Sequence, residues 1–550
     1  MRVISRALPV FILLVLTSIL ALSACQRATP TPLPVARTLT HIAAPPTPNA
    51  NTATPVPSPP AGPRIGSVEG LTATSTPTAT PTATPTPTAT LTVTPTPTRA
   101  ATSTATPTPL PAGTYWPTQT SYYIKVDLDY WGHSLQAREQ LIFTNTLGLT
   151  LTDLMLSIPP NHFAGTFVLS SLTVDGKQAA YAFDGTSLQV TLPEALPAGQ
   201  VMTLDMTFSV TPPYMRVDSI FGGGSVGYSE NAFNAGNWYP VLAPYHADKG
   251  WLATPWHSVG DPYVTDMGTY VVEIHTSPDV TVAGPGAMDS WPDDGRWRFT
   301  ITAARTFAFA ASHRYESAAE TAFGVTIASY YYPEHQVTGQ LILANATASI
   351  RLFSELYGPY PYPNLRIAET DFSGGQEFSG FMLFGSGTHT DYLDTGEGPR
   401  TILFTLIPHE TAHQWWFGVV GNDQAREPWL DEAFAKYSEQ LFYERLYPEH
   451  ADWRWAWMGM TDRQPALLEA TIYDYSSTLA YKDRVYLTGA LFLAQLRHAL
   501  GDDTFFAFVQ AHYRQGANRI VTTDEFLSLL SQYNNPAVQS VVDAYFSRSP

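Results

Sequence analysis

The chain has 550 residues, 29 of them basic and 47 acidic, with a formal net charge of −18 and a single cysteine. An acidic balance without a basic cluster excludes nucleic acid as a partner, and a lone cysteine excludes an intrachain disulfide framework. Aromatic residues make up 13% of the chain, a share that suits a large β-rich domain and a substrate cleft alike.

Residues 1–25 read as an export signal. Arg2 and Arg6 precede an apolar run over 7–22 that is too short and wrongly flanked to span a membrane. The run ends Leu22-Ser23-Ala24-Cys25, which resembles a bacterial lipobox, so Cys25 is the expected lipidation site. Residues 26–113 are low-complexity Thr/Pro/Ala sequence with too little apolar surface to pack. Prolines stiffen such a tract toward polyproline II, at about 3.1 Å per residue, giving a reach of up to roughly 250 Å. The expectation is a disordered stalk that lifts a folded part off a membrane.

From 114 to 316 the pattern is that of strands. Tyr123-Ile124-Lys125-Val126-Asp127-Leu128-Asp129-Tyr130 alternates with period two, as do 135–143 and 270–275. Val174-Asp175-Gly176-Lys177 and Asp293-Asp294-Gly295-Arg296 read as hairpin turns. These features predict an antiparallel β-sandwich or saddle-like domain. From 317 to 550 a few strands give way to helices: an apolar run from Thr401 through Trp415-Trp416-Phe417, a segment from Asp431, then 486–500, 504–514, 523–533 and 536–546. Gly501 and Thr522-Thr523-Asp524-Glu525 are stop and start signals. The whole is α+β, its second half mainly helical.

Within that half stands His409-Glu410-Thr411-Ala412-His413. Imidazoles at i and i+4 lie on one helical face about a turn apart, close enough for both to reach one Zn²⁺. Glu410, between them, is angled to hold a water rather than the metal. Glu432 follows in a facing helical segment and is placed to supply the third ligand. Two histidines and one glutamate leave a coordination position open, the mark of a catalytic zinc site, with one ion per chain. Zinc lowers the pKa of its bound water to about 7, and Glu410 is the candidate general base. Pro408, directly before His409, is expected to kink or break the helix.

Over 115–550 the chain resembles the M1 family of zinc aminopeptidases. The resemblance is carried by His409-Glu410-x-x-His413-Gln414-Trp415, by Gly421-Asn422 and by Trp429-Leu430-Asp431-Glu432-Ala433-Phe434-Ala435. The last of these echoes the family's WLNEGFA with Asp431 and Ala433 substituted. The resemblance implies a saddle domain, a thermolysin-like catalytic domain and removal of N-terminal residues from peptides. The family's GAMEN segment, whose glutamate binds the substrate's α-amine, falls here on Gly374-Gly375-Gln376-Glu377-Phe378-Ser379-Gly380. Glu377 is thereby assigned to the amine, with Gln376 and Gly375 beside it, and the family's asparagine is replaced by Phe378. A desolvated carboxylate is a good ammonium receptor, because an ion pair is worth more in a cleft than in water. Tyr357-Gly358-Pro359-Tyr360-Pro361-Tyr362-Pro363 supports the register. The family's oxyanion-stabilising tyrosine lies in a Tyr-x-x-Gly that opens a helix; Tyr486-Leu487-Thr488-Gly489 fits, with Tyr481 as competitor. Most M1 enzymes also carry a helical C-terminal domain over the cleft. The sequence ends at Pro550, so no such lid is expected and restriction to peptide termini is relaxed.

Two other functions share these residues: a zinc endopeptidase with Glu377 incidental, and a non-catalytic surface lipoprotein that binds peptides. The intact ligands and Glu410 argue against the second. The expected partners are peptides and, through a lipid on Cys25, a membrane. The expected location is the extracytoplasmic face of the cell envelope.

Overall fold

The computed structural model describes residues 115–116, 118–215, 225–533 and 535–547. The export signal, Cys25 and the stalk expected over 1–113 lie outside these residues.

Period-two sequence becomes sheet with one face buried. Gln119–Asp129 and Ser134–Thr144 alternate buried and exposed residues along their length. They lie at the centre of an eight-stranded sheet in the order Ala287–Trp291, Arg296–Ala304, Gly268–His275, Gln119–Asp129, Ser134–Thr144, Val201–Val210, Phe167–Val174, Lys177–Gln178. Pairing is antiparallel except between Gly268–His275 and Gln119–Asp129, which run parallel with Tyr270 beside Tyr122. A smaller sheet built on Leu151–Ser157 and Ser187–Leu196 supplies Leu154, Leu156, Leu188 and Val190 to the same core as Leu141, Phe143, Leu204 and Phe208. The layers make a sandwich, now with one parallel pair. Both expected hairpins form. Asp175 and Gly176 take left-handed conformations between Val174 and Lys177, the torsions that a two-residue hairpin turn requires.

One core position breaks the apolar rule. Glu139 points inward between Ile124 and Met206, and neither carboxylate oxygen has a hydrogen-bond partner. Burial pushes its pKa well above the ordinary carboxyl range. The folded state therefore holds a proton that the unfolded chain releases above about pH 4.3, so stability is lost as pH rises. Glu139→Gln is expected to raise Tm little at pH 4 and strongly at pH 8, where the buried glutamate must take up a proton on folding and the amide need not. Thermal melts of both proteins at the two pH values check this, and equal shifts at both would refute it.

The second domain begins with Glu316–Ala322, the first strand of a five-stranded sheet. Its spatial order continues Val325–Tyr331, Asn364–Thr370, Phe381–Gly385, Gly375–Phe378, with the last strand an antiparallel edge. Helix α1 (Gln336–Leu356) buries Ile342, Leu343, Ala346, Ile350 and Phe353, an i, i+3, i+4 stripe. Then come α2 (Ser386–Thr395), α3 (Ile402–Ala412), α4 (Trp429–Leu446) and α5 (Pro448–Trp457), followed by α6 (Gly489–Leu500), α7 (Asp502–Gly516), α8 (Thr523–Leu530) and α9 (Pro536–Tyr545).

Three local expectations need correction. Of the kink or break expected at Pro408, the break does not occur: α3 runs through it, with Leu403, Phe404 and Ile407 buried before it and Ala412 after it. Conversely, Trp415, Trp416 and Phe417 are not helical. The helix ends at Ala412, His413 keeps helical torsions as its cap, Trp415 and Trp416 pack into the core from a turn, and Phe417 is buried. Tyr486 does not open a helix either. It lies inside a π-helical turn over Lys482–Thr488 that leads into α6, a geometry frequent at functional sites.

Candidate active site and metal centre

Helix α3 and the facing α4 bring the two histidines and Glu432 together. His409 Nε2 lies 3.3 Å from His413 Nε2. Glu432 Oε2 lies 3.4 Å from the first and 3.5 Å from the second. Ligands at about 2.1 Å from a tetrahedral zinc sit about 3.4 Å apart, so the three atoms already form one face of that coordination shell. Each imidazole is turned by its other nitrogen. His413 Nδ1 meets the Trp416 carbonyl oxygen at 3.0 Å, which only accepts, so Nδ1 donates and Nε2 keeps its lone pair. His409 Nδ1 meets Glu439 at 2.9 Å, a carboxylate held in turn by Lys436 and Arg454. Such outer partners are the usual support of a metal-ligating histidine. Glu432 Oε2 is buried without a hydrogen-bond partner. Three converging lone pairs and an orphaned anionic oxygen fit a zinc ion.

The surrounding charge makes the same demand. Glu377, Glu410, Asp431 and Asp261 all face this centre. Burial pushes Glu410 up to about 7. Burial, with Glu432 next to it, pushes Asp431 up to about 8. Burial likewise raises Glu377, and it raises Asp261 further with help from the Glu377 charge. For Glu432 burial also works upward, but the facing His413 and His409 outweigh it and hold the carboxylate ionised. So many carboxyl groups around two imidazoles call for added positive charge.

Each expected residue can now be placed. Glu410 is 4% exposed, and a Cβ on Gly375 would come within 2.4 Å of its Oε1. Only glycine lets the edge strand Gly375–Phe378 approach the carboxylate so closely. Glu377, two residues on, shares the face of Gly375, and its carboxylate lies within 4.8 Å of the ligand atoms of Glu410 and His413. Gln376 points to the other side of the strand, so the structure does not bring it into the cluster. Tyr486 donates from its hydroxyl to Glu432 Oε1 at 2.5 Å and stacks parallel to His409. Its competitor Tyr481 is buried edge-on to Tyr486, its hydroxyl packed against Gly260. Gly489, which closes the Tyr-x-x-Gly, lets α6 pack on α4, where a Cβ would meet that of Ala433 at 2.5 Å.

Four further residues were not assigned to the site from the sequence, although one of them, Gln414, stands in the motif beside His413. Gln424, in the loop between the zinc helices, donates to Glu377 Oε1 at 3.2 Å and to Asp431 Oδ2 at 3.0 Å. Gln414 ties the edge strand to α3, donating to the Phe378 carbonyl oxygen at 3.0 Å and accepting from the Gly380 N–H at 2.8 Å. Asp261 reaches the site from a loop of the β domain. Arg305, also from that domain, is buried and donates to the carbonyl oxygens of Phe417 and Val419 in the turn after α3. Phe378, where the family has asparagine, buries its ring against Gly236 of the β domain.

Solved structures of two-domain M1 zinc metallopeptidases share this fold. An M1 zinc metallopeptidase from Deinococcus radiodurans has a similar fold, at 18% identity, with a TM-score of 0.57 over 80% of this chain and 94% of that one. A variant from the same organism bound to a Tyr-Ser-Ala substrate is 20% identical, with the same TM-score over 79% of this chain and 95% of that one. Residues 343–545 match the Peptidase family M1 domain. Aminopeptidase M1-B of Oryza sativa subsp. japonica is 26% identical over 220 residues, 38% of this chain and 25% of that protein. Aminopeptidase N of Lactococcus lactis subsp. cremoris is 25% identical over 247 residues, 42% of this chain and 29% of that protein. The match thus spans less than a third of these relatives. The family match therefore lies within the second domain, over residues 343–545 of the 550.

Proposed function

We propose that this protein hydrolyses peptides at their N-terminus, releasing the first residue. The observation that carries the reading is the place of Glu377, whose carboxylate stands within 4.8 Å of the ligand atoms of Glu410 and His413. In any peptide the amine nitrogen and the carbonyl carbon of one residue are about 2.5 Å apart. An α-ammonium paired with Glu377 therefore delivers the first peptide carbonyl, and no later one, to Glu410 and the His409–His413–Glu432 face. Gln424 steadies Glu377 by its hydrogen bond.

A zinc ion on those three ligands supplies an acidified water and polarises a carbonyl. Glu410 holds a carboxylate at the open side, able to accept one proton and return it to the leaving amine. The value of about 7 set by burial suits a group that must do both near neutral pH. Tyr486, its hydroxyl donating to Glu432 at the metal face, is the reading's choice for the developing oxyanion.

The test is hydrolysis of one peptide in free and N-acetylated forms, with and without a zinc chelator. Chelator-sensitive release of the first residue from the free form alone is expected. Glu377→Ala is expected to cost more on the free peptide than on the acetylated one. Equal internal cleavage of both forms would replace this reading with an endopeptidase, and no cleavage of either would favour a peptide-binding protein.

The reading includes export and a lipid on Cys25, supported by Arg2, Arg6, the apolar run over 7–22 and Leu22-Ser23-Ala24-Cys25. The working location is then the extracytoplasmic face of the cell envelope, with the Thr/Pro-rich tract as spacer. Cys25→Ser is expected to move the protein from the membrane fraction to the soluble one; retention in the membrane would rule out this anchor.

A further inference from the structure

A second cluster of metal-ligating side chains lies in the same domain, built from other elements. His335 immediately precedes α1, Glu369 lies near the end of the strand Asn364–Thr370, and His389 is in α2. One ligand atom from each falls within 4.8 Å of the others. The side chains of Glu369 and His389 are 0% and 1% exposed, and that of His335 is 12% exposed. His335 Nδ1 meets Glu369 Oε1 at 2.5 Å, and the two imidazoles stack with centroids 4.9 Å apart.

The hydrogen bonds settle where the lone pairs point. Thr338 Oγ1 has a single proton and donates it to the His335 carbonyl oxygen at 2.9 Å. Its 2.7 Å contact with His389 Nδ1 must therefore be one in which the imidazole donates. That leaves Nε2 of His389 facing Glu369, buried and without a hydrogen-bond partner. A proton on Nε2 would not cure this, because Glu369 Oε2 is 4.0 Å away, beyond hydrogen-bond reach. Burial also pushes His389 down to about 4, which favours the neutral ring. An ion pair of His335 with Glu369 accounts for one half of the cluster only. The other half is a buried lone pair aimed at a carboxylate oxygen 4.0 Å away.

We propose that His335, Glu369 and His389 form a second metal site, for a divalent ion of the zinc class. Imidazole with carboxylate is a donor set such ions favour. The outer partners are in place too: Thr338 orients His389, and the Tyr332 N–H donates to Glu369 Oε2 at 2.8 Å. On binding, His335 gives up the proton it shares with Glu369, so uptake releases protons. The site is a structural clamp. It joins the start of α1 and the helix α2 to the strand whose continuation, after one loop, is the edge strand bearing Glu377.

The probe is Zn²⁺ alone, titrated into metal-stripped protein, with metal content read by elemental analysis and uptake by calorimetry. The wild type is expected to take two equivalents and His413→Ala one. Adding His389→Ala or His335→Gln to His413→Ala is expected to remove that last equivalent. One equivalent in the wild type and none in His413→Ala would overturn the proposal. So would zinc that persists in the folded double variants, since it would then be bound by residues of the first site. The central comparison needs only the wild type and His413→Ala, so it stands even if a cluster variant fails to fold.

Discussion

Replacing Glu410 by Gln is expected to leave zinc bound while lowering kcat by about 10²–10⁴, the usual worth of a positioned acid–base group. That loss corresponds to about 2.7–5.5 kcal/mol of barrier. The amide has the shape of the carboxylate, so it keeps the tight approach of Gly375, where a Cβ would lie 2.4 Å from Oε1. What it loses is the ability to hold a proton. Since Glu410 is outside the His409–His413–Glu432 triangle, the donor atoms that hold the ion are untouched. Steady-state kinetics with metal analysis on the same sample separates the two effects. A variant that kept the wild-type rate would sink the assignment of the base, and one that lost zinc would show that Glu410 is itself a ligand.

His413→Ala acts at the other link. Removing one corner of the triangle leaves two ligands and an uncompensated cluster of buried carboxyl groups. Affinity at this site is expected to fall by more than the about 10–100-fold that losing an outer-shell partner costs. Turnover of His413→Ala should match that of chelator-treated wild type, because both lack the same ion. Glu432→Ala should behave alike, and it also strips Tyr486 of its hydrogen-bond acceptor. If added zinc restored His413→Ala to the wild-type rate, the ligand set would have to be redrawn.

Much of this site was legible because its chemistry is local in sequence. His409, Glu410 and His413 share one helix turn, and that spacing faces two imidazoles in one direction wherever the helix goes. Glu432 was within reach for the same reason, near the start of a second periodic run a short loop away. Glu377 and Tyr486 could be placed only by family resemblance, since a glycine-rich loop with one acid and a tyrosine before a helix are both common. Period two likewise announced the sandwich, although the strand Gly268–His275 joined it parallel to its neighbour, a matter of which edge was free and not of pattern.

What the pattern missed depended on contacts between distant segments. Of the kink or break expected at Pro408, the break did not occur because the apolar side chains around it are buried together, and that packing outweighs one lost hydrogen bond. Gln376 read as part of the site by adjacency to Glu377, yet strand geometry sends neighbours to opposite faces. Asp261, Arg305 and Gln424 have no motif at all and reach the centre only because the β domain and the inter-helix loop fold against it. The His335–Glu369–His389 cluster is the extreme case, three residues scattered over one domain with no spacing rule between them. The sequence by itself determined the period of each element and the residues that one helical turn brings together. Only the tertiary structure decided which carboxylates, amides and imidazoles converge from separate elements, because that is set by which faces are buried against one another.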